Sequence, residues 1–211
     1  MDLINRTSNF LQKITLNLGS DWEVIGEENV PPMGSLIIVS NHQSNFDPTL
    51  LSVSIPRRTW FLAKHEIFSN PLSSWLLRQY GAYPLSRFGT DINAYRWALN
   101  QLSHDQAIVL FPEGTRSKGG MRKAQIGVTR LALKSQSLIL PVGITGTENL
   151  GTFFRVLNPT GKLRVNIGPV FSVPSIEGTP NKEVLKSLTD MVMRRIAVLL
   201  PTNYQGVYQN D

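Results

Sequence analysis

Leu36-Ile37-Ile38-Val39-Ser40-Asn41-His42-Gln43-Ser44-Asn45-Phe46-Asp47-Pro48 sets an apolar run directly against a polar cluster. The run is too short for a helix, and its β-branched residues suit a buried strand. A polar cluster at the end of such a strand lies where open α/β sheets place their chemistry. His42 and Asp47 are five residues apart, about 500° around an ideal helix, so one regular helix cannot turn them to the same face. A turn can bring them together. Pro48 gives a reason for one, because it disfavours helical geometry at Asp47 and suits the first turn of a following helix. Asp47 would then orient the His42 ring and stabilise its protonated form, as a general base requires. The same residues also read as an N-cap aspartate and an ordinary loop histidine. The stretch alone leaves both readings open.

Outward from it, strands are expected at 22–25, 36–39, 59–63, 81–87, 107–111, 138–142 and 163–167. Helices are expected from Pro48, at 72–80, at 91–103 with Asp91 as cap, at 122–134 and at 182–200. Strands alternating with helices predict a single α/β domain, a largely parallel mixed sheet flanked by helices. Residues 1–20 form a separate amphipathic helix ahead of a domain at 21–211. Leu3, Thr7, Phe10, Leu11, Ile14 and Leu18 make a stripe at helical spacing there. That stripe either packs on the domain or lies on a membrane surface. It lacks the continuous apolar core of a secretory signal, and no window reaches the roughly 18 apolar residues that span a bilayer.

The 211 residues fit one domain, and 41% hydrophobic with 17% charged residues describes a folded chain. A formal net charge of +6 favours anionic partners: nucleic acid, a lipid surface or phosphorylated substrates. The basic residues lack the aromatic interleaving of a single-strand binder, so no nucleic-acid partner is expected. The chain has no cysteine, which excludes thiol nucleophiles, disulfides and thiolate-bound metals.

Phe111-Pro112-Glu113-Gly114-Thr115-Arg116-Ser117 is the second polar cluster at a strand end. Gly114 permits a tight turn, Arg116 offers a planar fork for phosphate, and Thr115 and Ser117 add hydroxyls. Glu113 could hold the arginine or touch a substrate, and an ordinary surface turn is the plain alternative. His65 beside Glu66 reads as structural, since no metal-ligand spacing includes it, and His104 before Asp105 reads as a helix-end residue. The run Phe153-Phe154-Arg155-Val156-Leu157 reads as core or as a membrane-dipping edge.

Taken together, Asn41-His42-x-Ser44-x-x-Asp47 and the 111–117 cluster resemble the glycerolipid acyltransferases, the family of 1-acyl-glycerol-3-phosphate acyltransferases. Gly26-x-Glu28-Asn29-x-Pro31, Ala63-Lys64-x-Glu66, Gly81 to Arg87 and Leu140-Pro141-Val142 match the family's other blocks. The departures are Ala82-Tyr83-Pro84-Leu85-Ser86 before Arg87, and Ala124-Gln125 where the family often has Phe-Lys. They leave His42 and Asp47 untouched and fall where relatives contact the acceptor. The resemblance implies acyl transfer from an acyl-CoA or acyl carrier protein thioester to a lipid hydroxyl, with lysophosphatidic acid or a related lipid as acceptor. It assigns His42 as general base with Asp47 its partner, and Arg87, Glu113, Gly114, Thr115, Arg116, Lys64 and Ser44 as substrate-binding residues. It implies no cofactor and no metal, and a cytoplasmic protein peripheral on an anionic membrane surface. Backbone amides near the 41–47 loop are the expected oxyanion donors.

Overall fold

In the computed structural model, which describes residues 2–86, 91–150 and 158–209, Leu36–Ser40 forms β2 and is buried along its whole length. Both edges of this strand find parallel partners, β5 (Ala107–Leu110) on one side and β6 (Leu138–Thr145) on the other. β3 (Thr59–Lys64) and β4 (Ala82–Leu85) extend the sheet beyond β5, again in parallel. Beyond β6, β7 (Gly161–Ile167) runs antiparallel to it and pairs in parallel with β1 (Ser20–Ile25). The order is β1-β7-β6-β2-β5-β3-β4, a mixed sheet with a parallel centre.

The sheet is covered on both faces, which is why β2 reads as continuously apolar rather than alternating. Leu36 and Ile38 face Leu16 of α1 (Asp2–Gly19) and Leu50 and Leu51 of α2 (Asp47–Ser54). Ile37 and Val39 face the other way. They pack among Leu102 of α4 (Ile92–Leu102), Leu131 of α5 (Gly127–Ser135) and Ile196 of α6 (Lys182–Ala197). α3 (Pro71–Tyr80) is capped by Asn70, which accepts from the Leu72 and Ser73 amides, and stops at Gly81 with φ 111. Asp91 caps α4 by accepting from the Ala94 amide at 2.9 Å. A short α7 (Thr202–Gln205) and a 3-10 turn (Gly206–Tyr208) follow α6.

One expectation changes and one open alternative is decided. The helix expected over 122–134 starts only at Gly127. Its first amides have stronger claims elsewhere: Arg122 N–H donates to the Glu113 carboxylate, Ala124 N–H to the Tyr208 hydroxyl and Gln125 N–H to the Pro112 carbonyl. Such tertiary acceptors override helical periodicity.

For α1 the structure decides between the two readings left open: the helix packs with its polar side inward. Asn5 donates to the Tyr80 carbonyl at 2.9 Å, Asn9 donates to the Ser52 carbonyl at 3.0 Å, and Ser52 and Tyr80 hydroxyls donate to Asn9 Oδ1. Leu16 alone of its large apolar residues is fully buried. Leu3, Phe10, Leu11, Ile14 and Leu18 point outward, Leu3 78% and Leu18 84% exposed. Among the described residues no helix is long and apolar enough to cross a membrane. Arg87 and the run at 153–157 lie outside the described residues.

Candidate active site

β2, β5, β3 and β6 are parallel, so their C-terminal ends meet along one edge of the sheet. The two polar clusters leave the adjacent strands β2 and β5 at that edge, on the two sides of which the chain order diverges. Asn41 continues the β2–β6 ladder with its side chain. Its Nδ2 donates to the Ile144 carbonyl and its Oδ1 accepts from the Ile144 amide, both at 2.8 Å. That anchors the residue just before His42.

The chain then turns into α2, and the turn is built around the Asp47 carboxylate, which is fully buried. Oδ2 accepts from the Gln43 and Ser44 amides at 2.6 and 2.8 Å and lies 2.8 Å from His42 Nδ1. Oδ1 accepts from the Thr147 hydroxyl at 2.5 Å. The carboxylate therefore reaches back over the turn and does not cap α2. Because a carboxylate only accepts, it fixes the proton on His42 Nδ1 and leaves Nε2 with a free lone pair. The imidazole side chain is 17% exposed. This is the geometry of an oriented base.

The second cluster holds the same histidine from its other sides. The Phe111 ring stacks on the imidazole at 4.1 Å between centroids and 21° between planes. The His42 amide donates to Glu113 Oε1 at 3.0 Å, and the Ser117 amide donates to the His42 carbonyl at 2.7 Å. Ring, N–H and C=O of His42 are all positioned by the 111–117 turn. Gly114 takes φ 67 in that turn, a left-handed conformation that a side chain would strain.

The residues expected around the substrate separate into two groups. Gly114, Thr115 and Arg116 are exposed on the turn, and Lys64 ends β3 at the same edge of the sheet. Glu113 and Ser44 are buried and engaged. Glu113 spends Oε1 on His42 and Oε2 on the Arg122 amide at 2.7 Å. Burial pushes its carboxyl above the ordinary range, against those two amide bonds, which favour the anion. The Ser44 hydroxyl donates to the Leu150 carbonyl at 2.9 Å and accepts from the Phe46 amide. Both side chains tie loops together around His42.

Five amides of the 41–47 loop are spent as well. Those of His42, Gln43, Ser44, Phe46 and Asp47 bond to Glu113, Asp47, Asp47, Ser44 and Ser44 respectively. None of these five is available to an oxyanion. Asn41, quoted only as part of the motif, and Thr147, not singled out at all, complete the site. Thr147 stands 100 residues from Asp47, and only the pairing of β6 beside β2 brings it there.

A family model described as Acyltransferase matches residues 21–145. The chain is 25% identical over 179 residues to the 1-acyl-sn-glycerol-3-phosphate acyltransferase of Borreliella burgdorferi, covering 83% of this chain and 72% of that protein. It is 25% identical to the protein of the same name from Bacillus subtilis, covering 89% of this chain and 92% of the relative. Among solved structures, it is similar to the 1-acyl-sn-glycerophosphate (LPA) acyltransferase PlsC from Thermotoga maritima. That match has a TM-score of 0.72 and 26% identity, and covers 92% of this chain and 77% of the other.

Proposed function

The chain belongs to the acyltransferase family, and from that membership we propose that it transfers a fatty acyl group from a thioester to the free hydroxyl of 1-acyl-sn-glycerol-3-phosphate, giving phosphatidic acid. The observation that carries this reading is the single network joining His42 Nδ1 to Asp47 and the His42 carbonyl to the turn bearing Arg116. It supports a reading in which His42 acts as base next to a turn whose Arg116 suits phosphate.

In the reaction, His42 Nε2 takes the hydroxyl proton as the oxygen attacks the thioester carbonyl. The carbon–sulfur bond then breaks, and the thiol leaves with the proton that His42 returns. The acyl group passes from sulfur to oxygen with no covalent enzyme intermediate. An alcohol is a poor nucleophile near neutral pH, so this proton transfer is worth roughly 10²–10⁴-fold. Asp47 steadies the imidazolium that forms between the two steps. Arg116 and Lys64 supply positive charge for the acceptor phosphate, with Thr115 beside them. Glu113 and Ser44 act at one remove, through the backbone they hold.

An assay with acceptors that do and do not carry the phosphate tests this. Arg116→Ala raises the KM of the phosphorylated acceptor at least about tenfold, since a charge-assisted hydrogen bond is worth about 1.5–3 kcal/mol. Lysine restores part of the loss, keeping the charge without the fork. A rise in donor KM with acceptor KM unchanged would assign the arginine to the other substrate.

The acceptor resides in a bilayer, and the outward stripe of α1 supports surface docking there. Exposed Arg6 and Lys13 flank the stripe and suit anionic headgroups. Of the basic residues that could have helped, Arg57 is committed to the carbonyls of Pro31, Gly34 and Asp105. Deleting α1 would open the core at Leu16, so exposed positions make the better test. Phe10→Asp with Leu18→Asp weakens flotation with anionic vesicles at least about tenfold, each lost apolar side chain being worth about 1.5–3 kcal/mol. Undiminished flotation in a folded variant would move the docking surface elsewhere.

A further inference from the structure

Residues 115–126 run from the turn that holds His42 to the start of α5 as irregular backbone, so tertiary bonds set their course. Those bonds alternate between two sides. The amides of Arg122 and Gln125 donate to Glu113 Oε2 at 2.7 Å and to the Pro112 carbonyl at 2.8 Å. Met121 and Ala124 turn instead to the segment that follows α6. The Met121 amide donates to the Tyr204 carbonyl at 2.9 Å, and its carbonyl accepts from the Val207 amide at 3.1 Å. The Ala124 amide donates to the Tyr208 hydroxyl at 3.0 Å. The two segments lie backbone to backbone: Gly206 takes φ 55, and a side chain there would run into the Met121 carbonyl. Met121 and Tyr208 are buried in the same cluster as Val39 of β2 and Leu131 of α5.

Two paths lead from this segment to the His42–Asp47 pair. On the first, Tyr208 fixes Ala124 and with it the direction of the Arg122 amide, two residues earlier. That amide holds one oxygen of Glu113, whose other oxygen accepts from the His42 amide at 3.0 Å. Burial pushes the Glu113 carboxyl up, and the Arg122 amide is the strongest of the contacts that keep it ionised. A shift at Ala124 therefore loosens the carboxylate on which the backbone of His42 is hung. On the second path, the Tyr204 hydroxyl donates to Glu148 Oε1 at 2.9 Å. Glu148 follows Thr147, whose hydroxyl donates to Asp47. One short segment thus braces the supports of both partners.

We propose that Tyr208 is a positioning residue for acyl transfer: through residues 121–125 it keeps Glu113 on the His42 amide and so fixes where the imidazole stands. This rests on the acyl-transfer reading above and adds to it a residue far along the chain from either motif. Tyr208→Phe keeps the buried ring and removes only the hydroxyl that accepts from Ala124. It lowers kcat about tenfold, inside the roughly 10²-fold that an ångström of misplacement can cost. Donor and acceptor KM stay within about twofold, since no substrate-binding group is removed. A double-mutant cycle with Glu113→Gln follows the path. Glutamine accepts from only one of the two amides, so the connection is already cut, and Tyr208→Phe then costs less than about twofold more, where independent residues would multiply. Val192→Ala opens the same buried cluster without touching these bonds, and leaves the kcat of the folded protein within about twofold. Hydrogen exchange reads the path without turnover. In Tyr208→Phe the His42 amide exchanges at least about fivefold faster relative to the Ile38 amide of β2, the worth of one net hydrogen bond. An unchanged kcat, multiplying losses, an equal loss in Val192→Ala, or wild-type exchange at His42 would each overturn the proposal. Wild-type turnover judges the acyl-transfer reading separately, because exchange at His42 decides this one in a protein that turns nothing over.

Discussion

His42→Ala lowers kcat by at least about 100-fold, the lower end of what a positioned general base supplies. The ring contributes to one pair and one stack, with Asp47 and with Phe111, while the backbone of residue 42 keeps its bonds to Glu113 and Ser117. The fold should therefore survive, and acceptor KM should change little because the cations are untouched. A folded variant that retains near-wild-type kcat on a phosphorylated acceptor would remove His42 from the chemistry.

Asp47→Ala has a larger reach, because it damages both catalysis and stability. It frees the His42 ring to turn, and it strands the buried amides of Gln43 and Ser44 and the Thr147 hydroxyl. Each buried group left without a partner costs about 1–3 kcal/mol. Two stranded amides alone remove about 2–6 kcal/mol from a stability that is typically 5–15 kcal/mol. Asp47→Asn keeps an oxygen for the amides and can donate to Thr147, so it should be the more stable variant. It still loses the charge that steadies the imidazolium. Denaturant unfolding and kcat, measured for both, separate the two roles. An alanine variant as stable as wild type would mean that the turn is not held by this carboxylate.

How far the residues alone lead depends on where their partners sit. The 36–39 run was legible as a buried strand because both faces are apolar, and His42 with Asp47 was legible because a turn of five residues closes locally. Thr147 was not, since its link to Asp47 depends on strand order. Periodicity revealed a helix in α1 but not which side goes in. The inward side is held by Asn5 and Asn9 through hydrogen bonds to Tyr80 and Ser52, partners that no hydrophobic pattern encodes. The 122–126 segment was misread for a related reason, its amides being claimed by Glu113, Tyr208 and Pro112. Motif membership likewise grouped Glu113 with Arg116, although one is buried in two amide bonds and the other exposed.

The most direct measurement is a product balance. Purified protein is given an acyl thioester and 1-acyl-sn-glycerol-3-phosphate, and free thiol and lipid product are counted in the same reaction. Direct attack by a base-activated hydroxyl predicts one phosphatidic acid for each thiol released, and neither product when the acceptor is withheld. Thiol released without acylated lipid, or equal transfer to acceptors lacking the phosphate, would contradict the account.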